Sequence, residues 1–142
     1  MDLTQSFPRS PQKKMGGLVM VPRMIDKARA YNAKTLGEYI FPCPLDKIIL
    51  KFLNTDHNEI IHLAQKLTDE EIVLWINKQC LNCSEEDIKQ VNQKILEQKP
   101  NNRESLIRFK KLRNKINPTR TDITTWVDLL ELDENRMPPE IL

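Results

Sequence analysis

"GEYIFPCPLDKIILKFL", Gly37 to Leu53, is the stretch on which the fold turns. From Leu45 the apolar residues Leu45, Ile48, Ile49, Phe52 and Leu53 recur at i, i+3, i+4, i+7 and i+8, which is one face of a short amphipathic helix. Pro42 and Pro44 fix the direction in which the chain enters it. With Pro44 at the first helical position, Cys43 becomes the N-cap and Asp46 the third residue. A thiol so placed meets the positive end of a helix dipole, which favours the thiolate. Asp46 opposes this, because a neighbouring carboxylate disfavours a second negative charge. Cys43 therefore reads first as a rigid corner and second as a candidate nucleophile.

Helical signals continue downstream. Asp56 with Glu59 caps a helix carrying Ile60, Ile61, Leu63, Ala64 and Leu67. Thr68 with Glu71 forms a capping box ahead of Ile72, Val73, Trp75, Ile76 and Cys80, and Ser84 with Asp87 precedes Ile88, Val91 and Ile95. Pro100 ends that helix. Another is expected over 102–116 with Leu106, Phe109, Leu112 and Ile116 inward, and Thr121 is expected to cap the last, through Trp126 to Leu130. With no glycine left, asparagine is expected at left-handed positions at Asn54, Asn82, Asn101 and Asn117.

Upstream the character changes. All three glycines and five of nine prolines precede Leu45. "GGLVMV" reads as a short buried extended segment or a helix entry. "PRMIDKARAYNA" reads as a helix from about Pro22 to Ala33 with Met24, Ile25, Ala28 and Tyr31 inward. No segment sustains period-two alternation. The expected fold is all-α: a single-domain bundle of about six to seven short helices, with an irregular Gly/Pro-containing N-terminal segment packed on it. Its expected parts are 1–44 (irregular segment plus one helix), 45–133 (bundle) and 134–142 (acidic, Pro-containing tail).

The 142 residues suit one domain, and no apolar run approaches the roughly 20 residues of a membrane span. The first residues begin acidic and lack a signal-peptide core, and three cysteines make an odd number. Together these give the expectation of a soluble cytoplasmic protein without a membrane partner. The net charge of +2 is unevenly spread: 1–34 has seven Lys/Arg against two Asp/Glu, and 101–120 has seven against one. Residues 121–142 have one against six, so the acidic tail is expected to pair with the basic helix, and nucleic-acid binding there is not expected.

Arg23 and Lys27 are four apart on one helix face, and Asp26 can pair with Arg29. Pro22 at the helix start leaves N–H groups that suit a phosphate or carboxylate. The plainer reading is a solvated, ion-paired helix surface. Cys80 and Cys83 form a CxxC without a preceding strand or further obvious ligands, so a metal or redox role is weak beside a structural one. His57 and His62 read as surface residues. Trp75 and Trp126 read as core.

The segments "DLTQSFPRSP", "MGGLVMVPRMIDKARA", "GEYIFPCPLD" and "TDITTWVDLLELDENR" together resemble an uncharacterised bacterial family, domain of unknown function 5069. The resemblance is densest over 2–53 and brings no established activity. It implies that Arg9, Gly17, Arg23, Asp26, Lys27, Arg29, Gly37, Glu38, Tyr39, Cys43, Pro44, Leu45 and Asp46 belong to the family pattern, and that Cys80 and Cys83 do not.

The expected function is a binding or regulatory module for a small anion or an acidic partner. Arg23 and Lys27 neutralise the ligand, Tyr39 donates a hydrogen bond, and Asp26 orients Arg29. The alternative is an enzyme in the same pocket, with Glu38 or Asp46 as acid–base and Cys43 as nucleophile. A further alternative is nucleic-acid binding through 103–120. The residues single out no metal site and no particular cofactor.

Overall fold

The computed structural model describes residues 1–137, so the far end of the expected tail, 138–142, lies outside the described residues. Among the described residues seven helices follow a two-residue-per-strand hairpin: β1 Lys14–Met15, β2 Leu18–Val19, α1 Val21–Asn32, α2 Pro44–Phe52, α3 His57–Lys66, α4 Asp69–Gln79, α5 Glu85–Leu96, α6 Arg103–Ile116 and α7 Trp126–Asp133. The fold is all-α, with the hairpin as its only departure among the described residues. The chain forms two compact units, Met1–Ile95 and Leu96–Leu142, each considered by itself.

In the first unit "GGLVMV" becomes a hairpin. Gly16 and Gly17 have φ of 61° and 81°, and two consecutive positive-φ residues make the tight turn whose twist suits paired strands. Lys14 stands opposite Val19 and Met15 opposite Leu18. A Cβ on Gly16 would lie 2.6 Å from Ile76 Cγ2, so glycine is needed there for closeness as well as for conformation.

Leu18, Val19, Met20 and Val21 are buried as the hairpin runs into α1. Met20 is the N-cap with φ 73°, a left-handed conformation uncommon for a long side chain and costing about 1–3 kcal/mol. Its N–H donates to Pro11 O at 2.9 Å and its carbonyl accepts from Met24 N–H at 2.9 Å, so two backbone bonds and a buried side chain hold it there. This helix start is interior, and the expected anion seat on its first turn is not open. Met24, Ile25 and Ala28 face the core as expected, whereas Tyr31 is half exposed.

The expected caps at Asp56, Thr68 and Ser84 are present, each side chain accepting an N–H three residues on. Of the four asparagines expected at left-handed positions only Asn54 has positive φ, with Met20, Lys34 and Asn135 as the other non-glycine cases among the described residues. Asn117 is extended.

The second unit packs Phe109, Ile123, Leu129 and Leu132 together, with Trp126 set edge-on to Phe109 at 5.0 Å between centroids. The last helix is capped by Thr125 and not by Thr121. The expected inward stripe of α6 is also reduced: Phe109 and Arg113 are buried, while Leu106, Leu112 and Ile116 are exposed. A helix of eight residues spans about 12 Å against about 21 Å for fourteen, so α7 covers only part of α6.

Candidate functional site

The charged residues of the N-terminal third fall into a closed pair and, with Asp69, an open cluster. The closed pair joins α1 to α2. Lys27 and Asp46 are 2% and 0% exposed, and Lys27 Nζ donates to Asp46 Oδ2 at 2.6 Å. Lys27 Nζ also contacts Ile40 O at 3.1 Å and Cys43 Sγ at 3.3 Å. Cys43 is the N-cap of α2 as its flanking prolines predict, accepting from Asp46 N–H at 3.5 Å while its own N–H donates to Asp46 Oδ2 at 2.9 Å. The chain enters through a cis Phe41–Pro42 peptide. One carboxylate oxygen thus ties the helix start to a cation nineteen residues earlier. Asp46 Oδ1 is buried with no hydrogen-bond partner among the described residues.

Burial pushes the Cys43 thiol up, the Asp46 charge adds to this, and Lys27 only partly offsets them. The thiolate that a helix N-terminus would favour is therefore disfavoured here. Glu38 is exposed and has no hydrogen bond or ion pair to Cys43 or Asp46 among the described residues.

The open cluster centres on Asp69, the first residue of α4. Arg29 Nη1 donates to Asp69 Oδ1 at 2.8 Å and Arg9 Nη1 to Asp69 Oδ2 at 2.8 Å, so two guanidiniums bracket one carboxylate. Arg9 is fixed from behind by Asp26, which accepts from its Nε at 3.1 Å, its Nη2 at 3.0 Å and its backbone N–H at 2.8 Å. Arg29 is fixed by Ala64 O at 3.3 Å and Leu67 O at 3.1 Å. The side chains of Arg9, Arg29 and Asp69 keep 35%, 27% and 35% of their exposure. Partial burial alone would raise the Asp69 pKa, but the hydrogen bonds from Arg9 and Arg29 outweigh it and hold the carboxyl below its usual range. Burial would likewise lower the Arg9 pKa, and its bonds to Asp26 and Asp69 raise it instead.

Between the pair and the cluster lies Arg23, 1% exposed, its Nη1 donating to Arg9 O at 3.3 Å and its guanidinium 5.4 Å from the Tyr39 ring centroid. The reading of Arg23 and Lys27 as a solvated face does not hold: both are interior. Asp26 pairs with Arg9 and not with Arg29, whose guanidinium is turned instead to Asp69, Ala64 O and Leu67 O. The structure thus gathers Arg23, Asp26, Lys27, Arg29, Tyr39, Cys43 and Asp46 into one region and leaves Glu38 outside. It adds Arg9 and Asp69. Arg9 belonged to the family pattern, but Asp69 reads in sequence only as a first-turn acid complementing a helix dipole.

Elsewhere, His57 and His62 are exposed, and Cys80 and Cys83 are free thiols. Partial burial, then the hydrogen bond and charge of Cys83, push Cys80 up to about 11. Among the described residues no three His, Cys, Asp or Glu side chains are grouped as a metal would need, and no helix is long and apolar enough to cross a membrane.

The fold and site define a small all-α protein whose N-terminal third is organised around buried and half-buried ion pairs. The chain belongs to the family described as Domain of unknown function (DUF5069), whose model matches residues 5–136. Among curated proteins, none matches the chain.

Proposed function

We propose that this protein is a binding or regulatory module that takes a small anion or an acidic group of a partner between Arg9 and Arg29. The observation that carries the reading is the bracket around Asp69: two guanidiniums, each held by other bonds, converge on one half-exposed carboxylate. Arginine's planar fork matches carboxylate and phosphate oxygens. Asp69 occupies the place of the ligand, and fixing both arginines in advance removes much of the ordering cost of binding.

Magnitudes separate this seat from the buried Lys27–Asp46 pair. A partly exposed ion pair is worth about 0–1 kcal/mol, so an incoming anion can displace Asp69. Breaking a buried pair costs about 3–5 kcal/mol, so Lys27 stays with Asp46. The ligand-facing cations are therefore Arg9 and Arg29, with Arg23 and Lys27 as buried framework. The raised Cys43 thiol and the outlying Glu38 give the covalent, enzymatic reading no comparable support.

Calorimetric titration with inorganic phosphate and with an acidic peptide tests this. Asp69→Asn removes the competing charge and binds the anion more tightly than the parent. Arg29→Gln binds it more weakly, with folding checked by circular dichroism. Equal affinities in the parent and both variants would sink the proposal.

A further inference from the structure

Helix α6 carries six Lys/Arg against one Glu, and among the described residues the acidic segment that follows it forms no ion pair with them. Asp122 pairs with Arg120 at 3.0 Å, and Glu131 and Glu134 both face Arg136. Among the described residues no carboxylate lies within ion-pair distance of Arg103, Arg108, Lys110, Lys111 or Lys115, all of which are exposed. The expected pairing of basic helix and acidic tail is thus replaced, through residue 137, by pairing within the tail and its preceding turn. Short-range partners win because residues two apart in a turn meet without extending the chain back along α6.

We propose that the face of α6 formed by Arg108, Lys111 and Lys115 docks the phosphate backbone of a nucleic acid without reading its sequence. These three side chains sit at i, i+3 and i+7 on one side of the helix and span about 10 Å along its axis. Over that length a duplex presents about six phosphates, so charge is matched without bending either partner. Arg108 is steadied by the Trp126 ring, 5.8 Å from its guanidinium carbon. Of the exposed apolar residues, Leu106 and Ile116 border the buried side of α6, while Ile107 and Leu112 flank the cationic face on its two edges; none lies among its three charges, which share the face with the single carboxylate Glu104. An anionic bilayer or an amphipathic partner helix requires an apolar stripe among the charges. A polyanionic backbone requires the charges alone.

Fluorescence anisotropy of the full chain with labelled mixed-sequence RNA and duplex DNA tests this. Three phosphate contacts predict affinity falling about 20-fold for single strands and about 40-fold for duplex between about 50 and 200 mM salt. The triple variant Arg108→Gln, Lys111→Gln, Lys115→Gln should flatten that dependence, and Lys13→Gln with Lys14→Gln should leave it unchanged. Because the three residues are exposed, an unchanged circular dichroism spectrum and melting curve accompany the loss. Absence of binding at low salt would overturn the proposal. So would a salt slope insensitive to the triple variant, or tighter binding of polyglutamate or phosphatidylserine vesicles at the same salt.

Discussion

Replacing Lys27 with methionine removes the cation of a fully buried ion pair and keeps the volume. Lys27 Nζ loses its bonds to Asp46, Ile40 and Cys43, and Asp46 remains 0% exposed with the Cys43 N–H as its remaining hydrogen-bond donor. An uncompensated buried charge costs about 3–5 kcal/mol. For a chain of this length a kilocalorie moves the melting temperature by about 3 °C, so the expected fall is roughly 10–15 °C. The assay is urea unfolding at neutral pH in a Trp126→Phe background, where Trp75 reports on the first unit alone. Adding Asp46→Leu removes the stranded charge, so the double variant should recover stability relative to Lys27→Met and lose only about 1 kcal/mol for the vacated cap. A Lys27→Met loss under about 1 kcal/mol, or a double variant as unstable as the two single losses added, would refute the reasoning.

Gly16→Ala should destabilise more than Gly17→Ala, since both sit at positive φ but only the first meets a side chain at 2.6 Å; equal losses in thermal melts would contradict the packing. Alkylation of Cys43 at neutral pH should be slower than that of a free thiol, because burial and then Asp46 raise its pKa, and a faster rate would contradict it. For Asp69 the folded pKa is depressed, so its stabilisation is complete above the unfolded carboxylate range and is lost as pH falls through the folded value. Asp69→Asn should accordingly shallow the acid limb of a stability–pH profile, and an unchanged limb would show that the bracket contributes nothing.

Local features of this fold can be read from the chain because their causes are local. The period of Leu45 to Leu53 and the pairs Asp56/Glu59 and Thr68/Glu71 need only neighbours three or four residues away. The Cys43–Asp46 cap is of the same kind. Met20 shows the limit: its left-handed backbone is sustained by burial and by Pro11, where propensity would have chosen glycine or asparagine. The site was only half visible for the same reason. Arg9 and Asp69 are sixty residues apart, and Lys27 and Asp46 nineteen, so no spacing rule joins them. Thr121 carries the same cap chemistry as Thr125, but Ile123 is buried from outside any helix and the last helix begins after Thr125.

The most direct test of the central proposal is to follow the side-chain Nε–Hε resonances of Arg9 and Arg29 by nitrogen-15 NMR while inorganic phosphate is added. The bracket predicts that both shift together, saturably, while Arg23 beneath Tyr39 moves little, and that the shifts come at lower phosphate in Asp69→Asn. If neither Arg9 nor Arg29 responds, or if every arginine drifts in proportion to ionic strength, anion capture at this site is contradicted.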